Sequence, residues 1–237
     1  MIFLLITVFV VCLCFRFPIA FSLGLSCLFY FIFKGTPLVV VPLKMYAGID
    51  VFVLLSIPGF IIAGNLMNQG GLTDKIIKFC NHLLGHIRGG LSYVNISASM
   101  LFAGISGTAI SDTASLGAVM IPAMKKEGYD SDFSCAITAA SSTVGPIIPP
   151  SLPMIIAATL SGLSVGKLFL AGAIPGLLLG LGLMLVAYFV AKKKNYPKHQ
   201  KSSIMQILKS FTDTFWALLM TLIILFGIIG GVFTPTE

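Results

Sequence analysis

At 237 residues, with 57% hydrophobic side chains, 10% charged ones and a mean hydropathy of +1.02, the chain carries more apolar surface than a soluble core of this size can hide. A water-soluble domain is excluded, and the formal net charge of +7 implies no nucleic-acid partner, because the lysines lie in loops between apolar runs, where they set membrane topology. The charge-free runs 51–73, 133–166, 168–191 and 214–236 each suit a spanning helix of roughly 20 residues, and none shows the alternation of a transmembrane barrel.

In chain order, residues 1–15 and 17–33 are two short apolar runs separated by Arg16 and Pro18, either thin or tilted spans or a membrane hairpin. The first has the apolar content of a signal peptide but neither a basic start nor a small-residue cleavage site, so a retained span is expected. Residues 34–49, with Pro37, Pro42 and Lys44, suit an interfacial connector. A third span follows at 51–67 and contains Pro58 and Gly59. Residues 70–86 alternate Asp74, Lys75, Lys78, His82 and His86 with Ile76, Ile77, Phe79, Leu83 and Leu84 at helical spacing, as in a helix lying in the membrane surface. His82 and His86 lack a nearby third ligand and read as interfacial polar residues.

The stretch 89–122 is too long for one upright helix and too short for two full spans with a turn. Basic residues flank it on both sides, Lys75, Lys78 and Arg88 before and Lys125 and Lys126 after, which places both ends in the cytoplasm. A re-entrant helical hairpin satisfies length and charge together, with its tip at 104–108 deep in the membrane. Residues 133–166 then cross outward. Gly145, Pro146, Pro149, Pro150 and Pro153 make a continuous helix implausible, since each internal proline costs roughly 3 kcal/mol. Two half-helices with an unwound join are expected. Residues 168–191 return to KKKNYPKHQK (192–201), a cytoplasmic loop, and 214–236 cross again after an amphipathic entry at 202–213. Counting back puts the N-terminus outside, Arg16 inside and Lys34 and Lys44 outside, the last two against the trend.

Non-helical backbone at membrane depth is tolerated only beside protein or a water-filled cavity. A tip and a break lined by Gly, Ser, Thr and Pro would bring carbonyls and hydroxyls together near the midplane. Such oxygens replace the hydration shell of a sodium ion, while half-helix N-termini favour a carboxylate. Sodium-coupled uptake of an organic anion follows as the functional expectation. The alternative for Gly104, Ser106, Gly107 and Thr108 is close helix packing, which is also the reading of Gly176 and Gly180. Asp112, an ionisable residue within hydrocarbon, is a functional candidate that caps the second hairpin helix, braces the tip or contacts the ion. Asn95-Ile96-Ser97 matches a glycosylation sequon but falls inside the membrane. Trp216 and Tyr188 suit interfacial anchors. Cys12, Cys14, Cys27, Cys80 and Cys135 show no ligand spacing, and no phosphate-binding loop supports an ATP-driven pump.

The segment GISGTAISDTASLGAVMIPAMKKEGYDSDFSCAITAASSTVGPIIPPSLPMIIAATLSG (104–162) closely resembles the large membrane subunit of tripartite ATP-independent periplasmic (TRAP) transporters, in the hairpin motif, the MIPAMKKEGY connector and the GPIIPPS break. IPGFIIAGNLM (57–67) is similar to the family too. The resemblance implies an all-α polytopic bundle with about six spanning helices, one re-entrant hairpin and one broken helix, forming one of two inverted repeats of an elevator-type transporter. It implies a sodium-driven mechanism with no cofactor beyond sodium as coupling ion, a small four-helix membrane subunit and a periplasmic substrate-binding protein. It also implies a place in the bacterial inner membrane and carboxylate substrates such as sialic acids or C4-dicarboxylates. Ser106, Gly107, Thr108, Ser141, Ser142, Thr143, Gly145, Pro149, Pro150 and Ser151 then look like a sodium site and one wall of the substrate cavity, with Asp112 beside them.

On this basis 1–88 would be scaffold and interfacial helices, 89–166 the hairpin and discontinuous helix of a transport domain, and 167–237 linking helices ahead of a second repeat. The chain holds one repeat set where the family has two, so a fragment, a truncated reading frame or completion by a second polypeptide is expected. A stand-alone divalent-anion/sodium symporter and a non-transporting fragment that packs with other membrane subunits remain as alternatives.

Overall fold

The structure, a computed structural model, describes residues 2–234, apart from the side chains of Ile105 and Ser106. The described residues form eleven α-helices and one short 3-10 turn, with no strand. Contacts divide the chain into two compact units, Met1–Phe52 and Val53–Glu237.

In the first unit, α1 (Ile2–Cys14) and α2 (Ile19–Lys34) pack on each other across a turn at Arg16, and α3 (Val40–Ile49) follows. At 1.5 Å per residue α1 and α2 are roughly 20 and 24 Å long, short of a ~30 Å hydrocarbon layer. Their apolar side chains remain largely exposed, whereas Ser22 is buried and donates to the Pro18 carbonyl at 3.2 Å.

A 3-10 turn at Phe52–Leu55, where the second unit begins, leads into α4 (Ser56–Gln69). Pro58 falls in the first turn of α4, where a missing N–H costs nothing, so it starts the helix rather than breaking it. α5 (Leu72–Leu84) buries Thr73, Ile76 and Cys80 on one face and leaves Asp74, Lys75 and Lys78 exposed, the amphipathic pattern expected. Then come α6 (Gly90–Ser106), α7 (Ala109–Lys126), α8 (Ser131–Ser142), α9 (Leu152–Ser161), α10 (Val165–Lys194) and α11 (Ile204–Ile229). One core forms where α5, α6, α7, α8 and α10 meet around Ile76, Val94, Phe102, Leu116 and Met120. A second joins α9, α10 and α11 around Ile155, Phe169 and Ile228.

Among the described residues, three helical stretches are long and apolar enough to cross a membrane: Phe52–Gln69, Val165–Lys194 and Ile204–Ile229. The other expected spans are present as shorter helices, because α1 and α2 are brief and the 133–166 run is split at its centre. The amphipathic entry at 202–213 leads directly into the final span. They form one continuous helix, α11, since no Gly or Pro separates Lys209 from Thr214. The last residues of the expected 214–236 run lie outside the described residues.

The basic connections gather at one end of this unit. The Gly89 amide donates to the Pro197 carbonyl at 3.0 Å, Lys194 pairs with Asp130 at 2.9 Å, and His199 meets Glu127 at 2.8 Å. The Lys194 ammonium and the Tyr196 hydroxyl, which donates to Asp130 at 3.1 Å, hold the exposed Asp130 carboxyl below its ordinary pKa range. Tyr129 stacks on Tyr196 with ring centroids 4.2 Å apart.

Candidate functional site: the hairpin tip and the helix break

Local chemistry dictates both interruptions. α6 stops at Gly107, whose φ of 60° is the left-handed conformation that glycine adopts without a Cβ penalty. Thr108 is extended, and its hydroxyl accepts the Ser111 amide at 3.3 Å, capping α7. The hairpin turn is therefore two residues long, and Thr108 takes the cap position that Asp112 was one candidate for. In the second interruption, residues 143–151 include Pro146, Pro149 and Pro150, which have no N–H, so this segment presents more carbonyls than amide donors. The Pro149–Pro150 peptide is cis. Ser151 restarts the helix: its hydroxyl accepts the Met154 amide at 3.4 Å and donates to the Pro146 carbonyl at 2.6 Å.

The two interruptions touch. A Cβ placed on Gly107 would lie 3.1 Å from the Pro150 carbonyl oxygen and the Leu152 amide nitrogen, and 3.2 Å from the Ser151 Cα. A Cβ on Gly145 would lie 2.6 Å from Asp112 Oδ2 and 3.2 Å from the Ser142 carbonyl oxygen. Asp112, in the first turn of α7, is fully buried, so its carboxylate stands at the start of one half-helix and against the break of the other. The first turns of α7 and α9 are neighbours here, each with the partial positive charge of unpaired amides, which favours an anion.

Most of the sequence-predicted residues are brought together. Gly107, Gly145, Pro149, Pro150 and Ser151 are buried where tip and break meet, with Asp112 between them, and Thr108 is half-buried at the edge. Ser141 and Ser142 lie at the end of α8 and are committed to hydrogen bonds. Ser141 receives the Ser99 hydroxyl at 3.0 Å and donates to the Thr138 carbonyl at 3.1 Å, and Ser142 donates to that same carbonyl at 2.8 Å. Thr143 is exposed and donates to the Ala140 carbonyl at 2.7 Å. The Ser106 side chain lies outside the described residues.

Sequence reasoning passed over the α6 side of this assembly. Asn95 is fully buried and donates to Thr138 Oγ1 at 2.7 Å, one turn from the Ser99–Ser141 bond. A signal existed: Ser92, Asn95 and Ser99 on α6, and Ser134, Thr138 and Ser141 on α8, each recur at helical spacing as buried polar stripes. This burial also explains why the Asn95 sequon is unreachable. On the far side of the break, Gly172, Gly176 and Gly180 of α10 let Met154, Ile148 and Met100 pack onto the helix backbone, which extends the close-packing role expected of Gly176 and Gly180. A cavity of about 90 Å³ beside the tip is lined by Thr108, Ser111, Leu152, Gly64 and Asn65. A larger one, about 420 Å³, lies away from these residues between α4 and α11. Among the described residues no group of three His, Cys, Asp or Glu side chains is arranged to hold a metal ion.

An all-helical membrane protein with two interrupted elements in contact is the class this architecture defines. The chain belongs to the family described as "Tripartite ATP-independent periplasmic transporter, DctM component", whose family model matches residues 6–237. Among its relatives are the sialic acid TRAP transporter permease protein SiaT of Haemophilus influenzae, 45% identical over 221 residues, and the sialic acid TRAP transporter large permease protein SiaM of Vibrio cholerae, 44% identical over 221 residues. Another is the C4-dicarboxylate TRAP transporter large permease protein DctM of Pseudomonas aeruginosa, 42% identical over 217 residues. The matches cover 93%, 93% and 91% of this chain but 36%, 52% and 51% of the relatives, so the chain spans about half of their length or less. The family is one of membrane transport components, not of enzymes.

Proposed function

We propose that this chain forms part of the membrane subunit of a sodium-coupled secondary transporter that imports organic anions, carboxylates such as a sialic acid or a C4-dicarboxylate. A periplasmic binding protein delivers the substrate, and a small four-helix membrane subunit completes the assembly in the bacterial inner membrane. The observation that carries this reading is the direct contact between the hairpin tip and the helix break, with the buried Asp112 carboxylate between them. Carbonyls in surplus at residues 143–151 suit a sodium ion, and the adjacent starts of α7 and α9 suit a substrate carboxylate. No other cofactor is needed.

In this reading α6 and α7 are a re-entrant hairpin opening to the cytoplasm, and the basic end of the second unit faces the same side. The N-terminus is then periplasmic. Residues 89–166 belong to a transport domain that moves in an elevator cycle against scaffold helices within 1–88, with 167–237 as linking helices.

The test is sodium-dependent uptake of radiolabelled sialic acid and succinate into proteoliposomes, by a full-length permease carrying this segment together with the small subunit and the binding protein. Ser106→Ala and Thr143→Ala should each raise the sodium concentration for half-maximal uptake. Unchanged sodium dependence in both variants removes these residues from the sodium site, and uptake indifferent to sodium removes the coupling altogether.

A further inference from the structure

We propose that the groove between α5 and the start of α11 is a binding site for the phosphate headgroup of an anionic membrane phospholipid. The inference rests on the chain's membrane family and not on its sodium coupling or substrate. The groove has a volume of about 350 Å³, within the roughly 300–1,000 Å³ of small-molecule sites. Lys75, Lys78 and His82 of α5 line one wall, and Gln206, Lys209 and Asp213 of α11 line the other. Three ammonium groups thus face one carboxylate, which leaves the groove cationic. Nor do the described residues neutralise it further, since neither ion pair they form, Lys194–Asp130 and His199–Glu127, involves a groove lysine. His82 Nδ1 is buried with no hydrogen-bond partner among the described residues.

The site is built rather than incidental. Thr214 of α11 donates to the Lys75 carbonyl at 3.3 Å, and Phe79 meets Phe211 at 5.9 Å in the same seam, which fixes the two helices at this spacing. The opposite face of α5 is anchored in the core through Ile76 and Cys80, so its lysines are held in the groove and not free to turn inward.

An amphiphile fits better than a free anion because the cationic groove stands at the start of a long apolar helix. From the groove α11 continues into a stretch long and apolar enough to cross a membrane. A lipid whose phosphate sits among the lysines can lay its acyl chains along that helix. Basic pockets between membrane helices and polybasic stretches beside them draw anionic headgroups in this way, at a free energy per lysine worth roughly fivefold in affinity.

The experiment uses the full chain purified in detergent, with retained lipid counted by native mass spectrometry and melting temperature followed on adding phosphatidylglycerol, phosphatidylcholine or inorganic phosphate. Phosphatidylglycerol is expected to bind and raise the melting temperature, with phosphatidylcholine and inorganic phosphate doing neither. Combining Lys75→Gln, Lys78→Gln and Lys209→Gln should weaken phosphatidylglycerol binding about a hundredfold. The matched control Lys125→Gln, Lys126→Gln and Lys198→Gln, which keeps the same net charge change elsewhere, should lose less than about threefold. Equal losses in the two triple variants, or full binding by the groove variant, would overturn the site. An equal response to inorganic phosphate or phosphatidylcholine would overturn the anionic-lipid assignment.

Discussion

The seam between α6 and α8 and the contact between the hairpin tip and the helix break are built from the same small polar residue types, yet they use them in opposite ways. In the seam, side chains close on each other: Asn95 on Thr138, Ser99 on Ser141, and Ser141 and Ser142 on the Thr138 carbonyl. At the tip and break, side chains are removed. Gly107 and Gly145 allow backbone and the Asp112 carboxylate to approach where a Cβ would collide. A closed seam holds two helices in register through side chains, whereas the tip and break meet through backbone and a carboxylate, which is the arrangement the proposed ion site uses. The position of a serine near a break therefore does not decide its role. Of the two serines expected at the sodium site, Ser141 accepts a hydrogen bond from Ser99 across the seam, and Ser142 donates within α8.

The widest separation between the two regions should come from Asn95→Leu. The substitution keeps the branched heavy-atom outline, with somewhat more bulk, but removes the donor to Thr138 in a fully buried position, a loss of about 1–3 kcal/mol. For a domain of this size that lowers the melting temperature by roughly 2–10 °C. Sodium dependence of uptake in the assembled transporter should stay within about twofold. A large sodium effect with little loss of stability would erase the distinction.

Gly145→Ala should do the reverse. The new methyl would stand 2.6 Å from Asp112 Oδ2 and 3.2 Å from the Ser142 carbonyl oxygen, so the carboxylate has to shift. Stability should then fall by only about 1 kcal/mol, at the mild end of overpacking. The displaced carboxylate should raise the sodium concentration for half-maximal uptake about tenfold. Thr108→Ala follows, with about 1 kcal/mol lost from the α7 cap and a sodium shift of roughly threefold, read by the same thermal-shift and uptake titrations. If Gly145→Ala destabilises the protein and leaves sodium dependence alone, the tip–break contact is packing of the seam's kind.

The breaks were legible in the sequence because breakers act locally. Gly107 ends a helix through its own φ, and Pro146, Pro149 and Pro150 remove donors wherever they stand, so positions near 107 and 145 could be located without knowing any neighbour. What packs against each break was not legible. Asn95 and Thr138 are 43 residues apart, so the polar stripes on α6 and α8 mark a face of each helix without saying that the two faces meet, and α10 carries apolar residues on nearly every face. Lys209 and Asp213 marked the end of the amphipathic entry, but whether a helix boundary falls there as well was not legible. A continuous helix crosses an interface without any change in its hydrogen bonding, so composition alone does not reveal it.

The smallest effect is also the most direct test of the seam. The Ser99 hydroxyl donates to Ser141 Oγ at 3.0 Å, and Ser141 passes its own proton to the Thr138 carbonyl at 3.1 Å, so the two hydroxyls form a relay with one direction. Ser141→Ala leaves the Ser99 hydroxyl without its acceptor, whereas Ser99→Ala leaves Ser141 still donating and missing only an incoming bond. The first variant should therefore cost more, though each stays within about 0.5–2 kcal/mol. Combining them should cost less than the sum, with a coupling of roughly 0.5–1 kcal/mol from a double-mutant cycle in chemical or thermal denaturation. Additive losses would mean that the two hydroxyls are only neighbours, and Ser141 would return to the candidates for the ion site.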